Sequence, residues 1–331
     1  VREGIFTLLE SLNVKDLDVF RFARRQIGHA YRLLAEEQAV RKLPAGTPRD
    51  LLVEYLEHER QVRLENVIRV LATQDRSGQM RIIHRGIFSS DSRQRANSQE
   101  ALENLLDRAL SRILVPLVEV RDPEQTLRVG KQHYDLPDFS EGPRRICDHL
   151  LGEKSWLTAT LTLYMLARQE MTTWDRQLVD TLSRTENPHV RVLAARLLND
   201  GQPSAGTKEN GMESEITISD RILHLKMIEI FKELSVRELA AVSSVTEEIS
   251  FPPGEEVIRE GDSGDTMYLI INGEVSVLKN KVEGGTITLD RIGAGEYFGE
   301  MALFEDVVRS ATIRTEQETR LLVLNKQEFK E

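Results

Sequence analysis

The chain of 331 residues contains one cysteine, Cys147. No intramolecular disulfide can form, and a reducing, cytoplasmic setting is expected. Long apolar runs are also missing: the stretches 113–118 and 156–167 are short or threaded with threonine, below the roughly 20 residues that a spanning helix needs. No membrane span is expected. The N-terminus lacks a basic segment followed by an apolar core, so no signal peptide is expected either. Positive charge is in deficit, with 44 Lys and Arg against 54 Asp and Glu for a net charge of −10. That balance argues against a general nucleic-acid binder, whose affinity comes from clustered Lys and Arg.

Recognisable catalytic and metal signatures are lacking too. The seven histidines are scattered without metal-ligand spacing, Cys147 with His149 making at best half a site, so no metal is expected. No Walker loop or kinase motif occurs, and no helix-turn-helix follows the last strands. Gly261-Asp262-Ser263-Gly264 looks like a protease nucleophile loop, but no correctly placed histidine surrounds it; a glycine turn between strands explains it better. Gly293-Ala294-Gly295 with Gly299 mimics a dinucleotide fingerprint without the βαβ unit that fingerprint requires. The chain reads as a non-enzyme.

The residues that are present describe a globular protein, 40% apolar and 30% charged, long enough for two or three domains. From residue 1 to about 200 the apolar period is helical. Phe20, Ala23, Ile27, Ala30, Tyr31 and Leu34 fall at steps of three and four, predicting a long amphipathic helix. Thr47-Pro48 predicts the next start, a capping hydroxyl followed by proline in the first turn. Shorter helices then alternate with turns through residue 198, as in an α-solenoid of stacked helix pairs; an irregular bundle would show much the same period. The stretch Asn187 to Leu198 is similar to the second half of a HEAT repeat, with its turn proline, Val-Arg pair and alanines, and residues 90–103 are a more degenerate version.

Residues 201–216 are almost devoid of apolar side chains and predict a flexible linker between a domain at 1–200 and one at 217–331. Beyond it an amphipathic helix over 222–234 is expected, then a capping box at Ser235-Val-Arg-Glu238. The period next switches to two. Short Val-, Ile- and Thr-rich segments separated by glycine turns predict seven or eight strands of a jelly-roll-like β-barrel, giving a multi-domain α + β chain.

Residues 293–312 are the one segment where residue type and spacing together specify a chemistry. Gly293 and Gly295 flank a turn into Phe298-Gly299-Glu300 and then a short apolar helix, Met301 to Phe304, with its first amides open to an anion. Arg309 follows as a permanently charged fork suited to phosphate oxygens, and Glu300, acceptor-only when ionised, suits a ribose hydroxyl. One ligand needs both: a nucleotide with a compact phosphate beside its sugar. Taken singly, Glu300 would more often be a helix-start glutamate and Arg309 a surface arginine.

This stretch resembles the phosphate-binding cassette of cyclic-nucleotide-binding domains, F-G-E-(apolar)-A-L followed by R-(S/T/A)-A, and the resemblance extends back through residues 254–275. It implies that Glu300 accepts from the ribose 2′-hydroxyl and that Arg309 pairs with the cyclic phosphate. The small residues Ala302 and Ala311 would leave room for backbone contacts, and Gly299 and Met301 belong to the same ligand-binding set. Ser310 would lie near the phosphate or base edge, and Val277 and Leu289 would face inward against the purine, although ordinary barrel-core residues would look the same. The ligand implied is cAMP or cGMP, cAMP being favoured. The family's closing helices, which cover the base and report occupancy, would begin where this chain stops.

The order of helical repeats and cyclic-nucleotide domain looks like the soluble tail of bacterial transporter-like membrane proteins, and the first residue, Val1, fits a piece of something longer. The reading is a cytoplasmic regulatory module, free or on the cytosolic face of a membrane protein, that binds a cyclic nucleotide and signals to an attached transporter module or to a protein held by the helical repeats. Self-association stays open. The alternative is a scaffold that binds no nucleotide and works through its helices.

Overall fold

The computed structural model describes residues 19–75, 77–171, 174–200, 216–281, 285–305 and 307–330. The chain divides into two compact units, residues 1–186 with 194–201 and residues 187–193 with 202–331. The expected linker lies outside the described residues except for Ile216. Among the described residues no helix is long and apolar enough to cross a membrane.

The first unit is helical. It opens with α1 (Val19–Arg41) and α2 (Thr47–Gln74), joined by a short loop into an antiparallel pair, followed by α3 (Gln79–Ile87), α4 (Ser92–Leu105), α5 (Arg108–Val118), α6 (Pro123–His133), α7 (Pro143–Leu151), α8 (Trp156–Arg168) and α9 (Arg176–Leu182). Aspartate sets several of these starts. Asp91, Asp107, Asp122 and Asp175 each accept from backbone N–H groups in the first turn of the helix that follows, filling donors that have no partner inside the helix. The start of α2 differs from expectation: Gly46 is the cap residue, with no side-chain bond. The Thr47 hydroxyl does not cap, because Thr47 already lies inside the first turn.

Ala23, Ile27, Ala30, Tyr31 and Leu34 of α1 are buried, as their spacing predicts, whereas Phe20, one turn from the start of the series, is exposed. They share one apolar core with Leu64 to Ala72 of α2 and with residues of α3, α4 and α5. Within it the Tyr31 hydroxyl donates to Ile113 O (3.0 Å). Gly130 of α6 lets the Tyr31 ring approach so closely that an added Cβ would meet it at 2.4 Å. α1 touches α2, α5, α6 and α7. In a repeat array each pair meets only its neighbours, so this helical region has the contacts of an irregular bundle around a long hairpin. The tenth helix, α10 (Pro188–Asp200), begins where the HEAT-like turn was read, with the Asn187 side chain accepting from His189 and Val190 N–H.

The second unit places two short helices before a β-structure. α11 (Ile218–Lys226) is capped by Thr217 and Asp220, and α12 (Val236–Ser244) by Ser235 and Glu238, both as capping boxes. The single helix expected over 222–234 is instead α11 and a 3₁₀ turn, Glu229–Phe231, because the Thr217 box starts the helix early and Ile228 is extended.

The strands are β1 (Glu247–Phe251), β2 (Glu256–Ile258), β3 (Thr266–Asn272), β4 (Glu274–Asn280), β5 (Thr286–Gly293), β6 (Tyr297–Phe298), β7 (Thr312–Thr315) and β8 (Thr319–Asn325). They form two four-stranded antiparallel sheets, ordered β1-β8-β3-β6 and β2-β7-β4-β5. The expected closed barrel is thus a two-sheet sandwich of the same jelly-roll class. Ile270, Val275, Ile313, Leu321 and Phe298 fill the space between the sheets, with Val277 and Ile292 packed against them. Leu289 departs from expectation. It is 56% exposed, beside a register irregularity opposite Val277 and Leu278, where an unpaired residue breaks the in-out alternation of β5.

Candidate functional site

β5 and β6 deliver the cassette to a fixed point. Gly295, at φ 87°, donates its N–H to Ile270 O (2.8 Å), and Ile270 N–H donates to Glu296 O (2.9 Å), so the turn is stitched to β3. Phe298 then pairs with Tyr268, and the two rings stack with centroids 5.1 Å apart at 13°. Gly299 follows at φ 78°, in the left-handed region that a side chain disfavours. A Cβ there would also meet Arg309 Nη1 at 2.7 Å and Thr266 O at 3.0 Å. Glycine is required at this position on both counts.

After Gly299 the chain turns into α13 (Met301–Phe304), with Glu300 at its cap position in helical conformation. This is the helix turn read from the sequence. Its amides are less open than expected, since Ala302 and Leu303 N–H donate back to Gly299 O (3.2 Å) and Glu300 O (3.0 Å). Ala302 is buried and Met301 is 51% exposed. The half-exposed Glu300 makes no capping bond, and its carboxylate has no hydrogen-bond or ion-pair partner among the described residues.

Arg309 is the centre of the site. It is only 9% exposed, which for an arginine requires partners. Its Nη1 donates to Gly299 O (3.3 Å), and its Nη2 donates to Thr266 O (2.8 Å) and Thr266 Oγ1 (2.8 Å). Every one of these acceptors is neutral. Burial lowers the guanidinium pKa, and Tyr268 and Asp265 act in the opposite direction; no carboxylate forms an ion pair with it among the described residues. Arginine stays protonated. The fold therefore holds a buried positive charge that donates three hydrogen bonds to neutral oxygens and forms no ion pair among the described residues.

The backbone locks that arrangement from both sides. Arg309 N–H donates to Asp262 O (2.8 Å), Gly261 N–H donates to Arg309 O (2.9 Å), and Ser263 bridges Val308. Gly264 lies so close that a Cβ would meet Arg309 Nε at 2.1 Å. The protease-like Gly261-to-Gly264 stretch is thus the loop that seats Arg309. Ser310 is exposed, and its carbonyl accepts from Lys279 Nζ (2.6 Å). Ala311 is half-buried, leading into β7, and Val277 of β4 pairs with Ile313 of that strand.

Gly299, Glu300 and Arg309 are brought together at one place; Leu289 is not part of the apolar core beside it. Sequence reading passed over Thr266, which holds Arg309 through two oxygens, and Gly264, which makes room for it. Both lie inside the glycine-spaced stretch 254–275. Their roles depend on contacts with Arg309, 43 residues from Thr266 and 45 from Gly264 in sequence, which no local pattern reveals.

Residues 248–331 match the family model described as the cyclic nucleotide-binding domain. The C-terminal third carries a domain of this family. The chain is 35% identical over 106 residues to a cAMP-dependent protein kinase regulatory subunit from Aspergillus niger, covering 32% of this chain and 25% of that protein. A subunit of the same description from Dictyostelium discoideum is 32% identical over 119 residues, 34% of this chain and 36% of that protein. The chain thus spans about a quarter to a third of the length of these relatives.

Among solved structures, a cyclic nucleotide-binding-like protein from Brucella abortus is 27% identical with a TM-score of 0.32, covering 34% of this chain and 95% of that one. The regulatory domain of Toxoplasma gondii PKA with cAMP is 25% identical with a TM-score of 0.33, covering 34% and 44%. The similar curated proteins are regulatory subunits of a kinase and not its catalytic part.

Proposed function

We propose that residues 217–331 form a domain that binds a cyclic nucleotide, cAMP in preference to cGMP, and passes its occupancy to a protein. The observation that carries this reading is the buried Arg309, hydrogen-bonded to neutral oxygens, one of them the carbonyl of Gly299, which directly precedes Glu300 in the cassette. A cyclic phosphate supplies the missing negative charge, and the ribose 2′-hydroxyl beside it supplies the donor that Glu300 lacks. Gly299, Met301, Ala302, Ser310 and Ala311 shape the notch, and Val277 contributes to its apolar floor. The preference for cAMP rests on the description of the kinase regulatory subunits.

The module works by binding and not by catalysis, on the cytoplasmic side. A ligand changes an equilibrium only through its different affinity for two states. Here the difference lies in Arg309: Thr266 and Gly299 hold the guanidinium in place, and the state in which it also meets the phosphate is the one that the nucleotide favours. The receiver is a protein partner or an attached module, a membrane transporter being one class to test. Domains at 1–200 and 217–331 joined by a linker at 201–216 complete the proposal.

Titration calorimetry of the purified chain with cAMP and cGMP tests it, beside Arg309→Ala. Loss of a charge-assisted contact weakens binding by roughly 1.5–3 kcal/mol, about 10- to 150-fold. Absence of heat with either nucleotide, on folded protein, overturns the reading in favour of a scaffold that works through its helices.

A further inference from the structure

A second buried charge lies far from the cassette in sequence, inside the helical unit. Glu36 of α1 is 1% exposed, a position where a carboxylate is costly unless paired. Its Oε1 lies 3.0 Å from His149 Nε2, and among the described residues that ring nitrogen is its only hydrogen-bond or ion-pair partner. His149 sits near the end of α7, and its Nε2 is also 3.9 Å from Oε1 of Glu153, four residues on. One ligand atom from each of Glu36, His149 and Glu153 falls within 4.8 Å of the others. The Phe139 ring meets the imidazole edge-on, centroids 5.2 Å apart at 65°, and so fixes the plane of the ring.

Two carboxylates and one imidazole, from α1 and from the end of α7, thus converge on one point. A neutral imidazole nitrogen with carboxylate oxygens is a donor set that coordinates divalent metal ions.

We propose that Glu36, His149 and Glu153 bind a divalent transition-metal ion of the zinc class, which ties α1 to the end of α7. Imidazole with carboxylates suits zinc and its neighbours, whereas calcium and magnesium favour all-oxygen shells. Bond lengths of about 2.0–2.2 Å call for ligand separations of roughly 3–4 Å. The Glu36–His149 and His149–Glu153 separations, 3.0 and 3.9 Å, already fit that range. Three protein ligands leave a fourth position for water.

Cys147, the residue that sequence spacing pairs with His149, is excluded. Residues two apart on a helix face different ways, and the ligand atoms that gather at His149 come from Glu36 and Glu153. The true ligand partners are four residues along the same helix end and 113 residues away on α1.

The test uses the full chain stripped with chelator and then titrated with ZnCl₂, with MgCl₂ and CaCl₂ as comparisons, followed by calorimetry and thermal melting. One equivalent of zinc should bind, and at a hundredfold excess over Kd should raise the melting temperature of the helical unit by roughly 5–10 °C. Glu153→Gln and His149→Gln should each weaken zinc binding at least about tenfold, while His84→Gln, at a histidine outside the cluster, leaves it unchanged. No stoichiometric binding, or binding that survives Glu153→Gln and His149→Gln, overturns the proposal. Preference for magnesium or calcium overturns the zinc-class assignment. Glu36→Gln is the third variant; if it does not fold, Glu153→Gln, at a side chain 33% exposed, decides alone.

Discussion

Replacing Gly299 by alanine separates two costs that the fold superimposes. The residue adopts φ 78°, and an L side chain in the left-handed region costs roughly 1–2 kcal/mol. Its new Cβ would also sit 2.7 Å from Arg309 Nη1 and 3.0 Å from Thr266 O, an overpacking that adds about 1–3 kcal/mol as guanidinium or strand gives way. Gly254 provides the internal reference: it has φ 83°, and a Cβ added there would have no atom within 4 Å. Gly254→Ala therefore carries the conformational cost alone. Urea unfolding, followed on the transition that cAMP shifts, should place Gly299→Ala at about 2–5 kcal/mol and Gly254→Ala at about 1–2 kcal/mol below the parent. Calorimetry should show cAMP affinity reduced at least about tenfold in Gly299→Ala and unchanged in Gly254→Ala, because only the first moves Arg309. Equal destabilisation of the two variants, with full affinity retained in Gly299→Ala, would refute the argument that close approach at Gly299 positions the arginine.

Thr266→Val removes the Oγ1 acceptor of Arg309 and leaves the Thr266 carbonyl, so cAMP affinity should fall by about 1 kcal/mol, less than in Arg309→Ala, when both are titrated side by side. Gly130→Ala should destabilise the helical unit by about 1–3 kcal/mol in thermal melts, against its helix propensity, because the Cβ would meet the ring of the buried Tyr31 at 2.4 Å. Burial and then Arg63, Arg32 and Arg25 hold the His29 pKa below its ordinary value of 6.5. The unfolded chain takes up that proton first, so the stability is present above pH 6.5 and lost as pH falls through the folded value. Melts from pH 7.5 to 5 should show a shallower decline for His29→Gln than for the parent.

Local patterns carried much of this protein. Helical spacing along residues 23–34 located the buried face of α1, the Ser235–Glu238 capping box is formed, and the cassette turn Met301–Phe304 is a helix, because each depends on residues within a few positions of one another. Period two marked the strands for the same reason. The Gly299-Glu300 and Arg309 pattern named a ligand chemistry from residue types alone.

Tertiary structure decided what those residues touch. Only folding brings Thr266 and Gly264 around Arg309, groups the strands between two sheets rather than in a closed barrel, turns Leu289 outward at an irregular pairing, and gathers α2, α5, α6 and α7 against α1. It also sets Glu36 against His149, where sequence spacing offered Cys147. The physical reason is common to all: hydrogen-bonded turns and periodic faces are local, whereas the burial and pairing of a charge depend on atoms that the chain brings back from a distance.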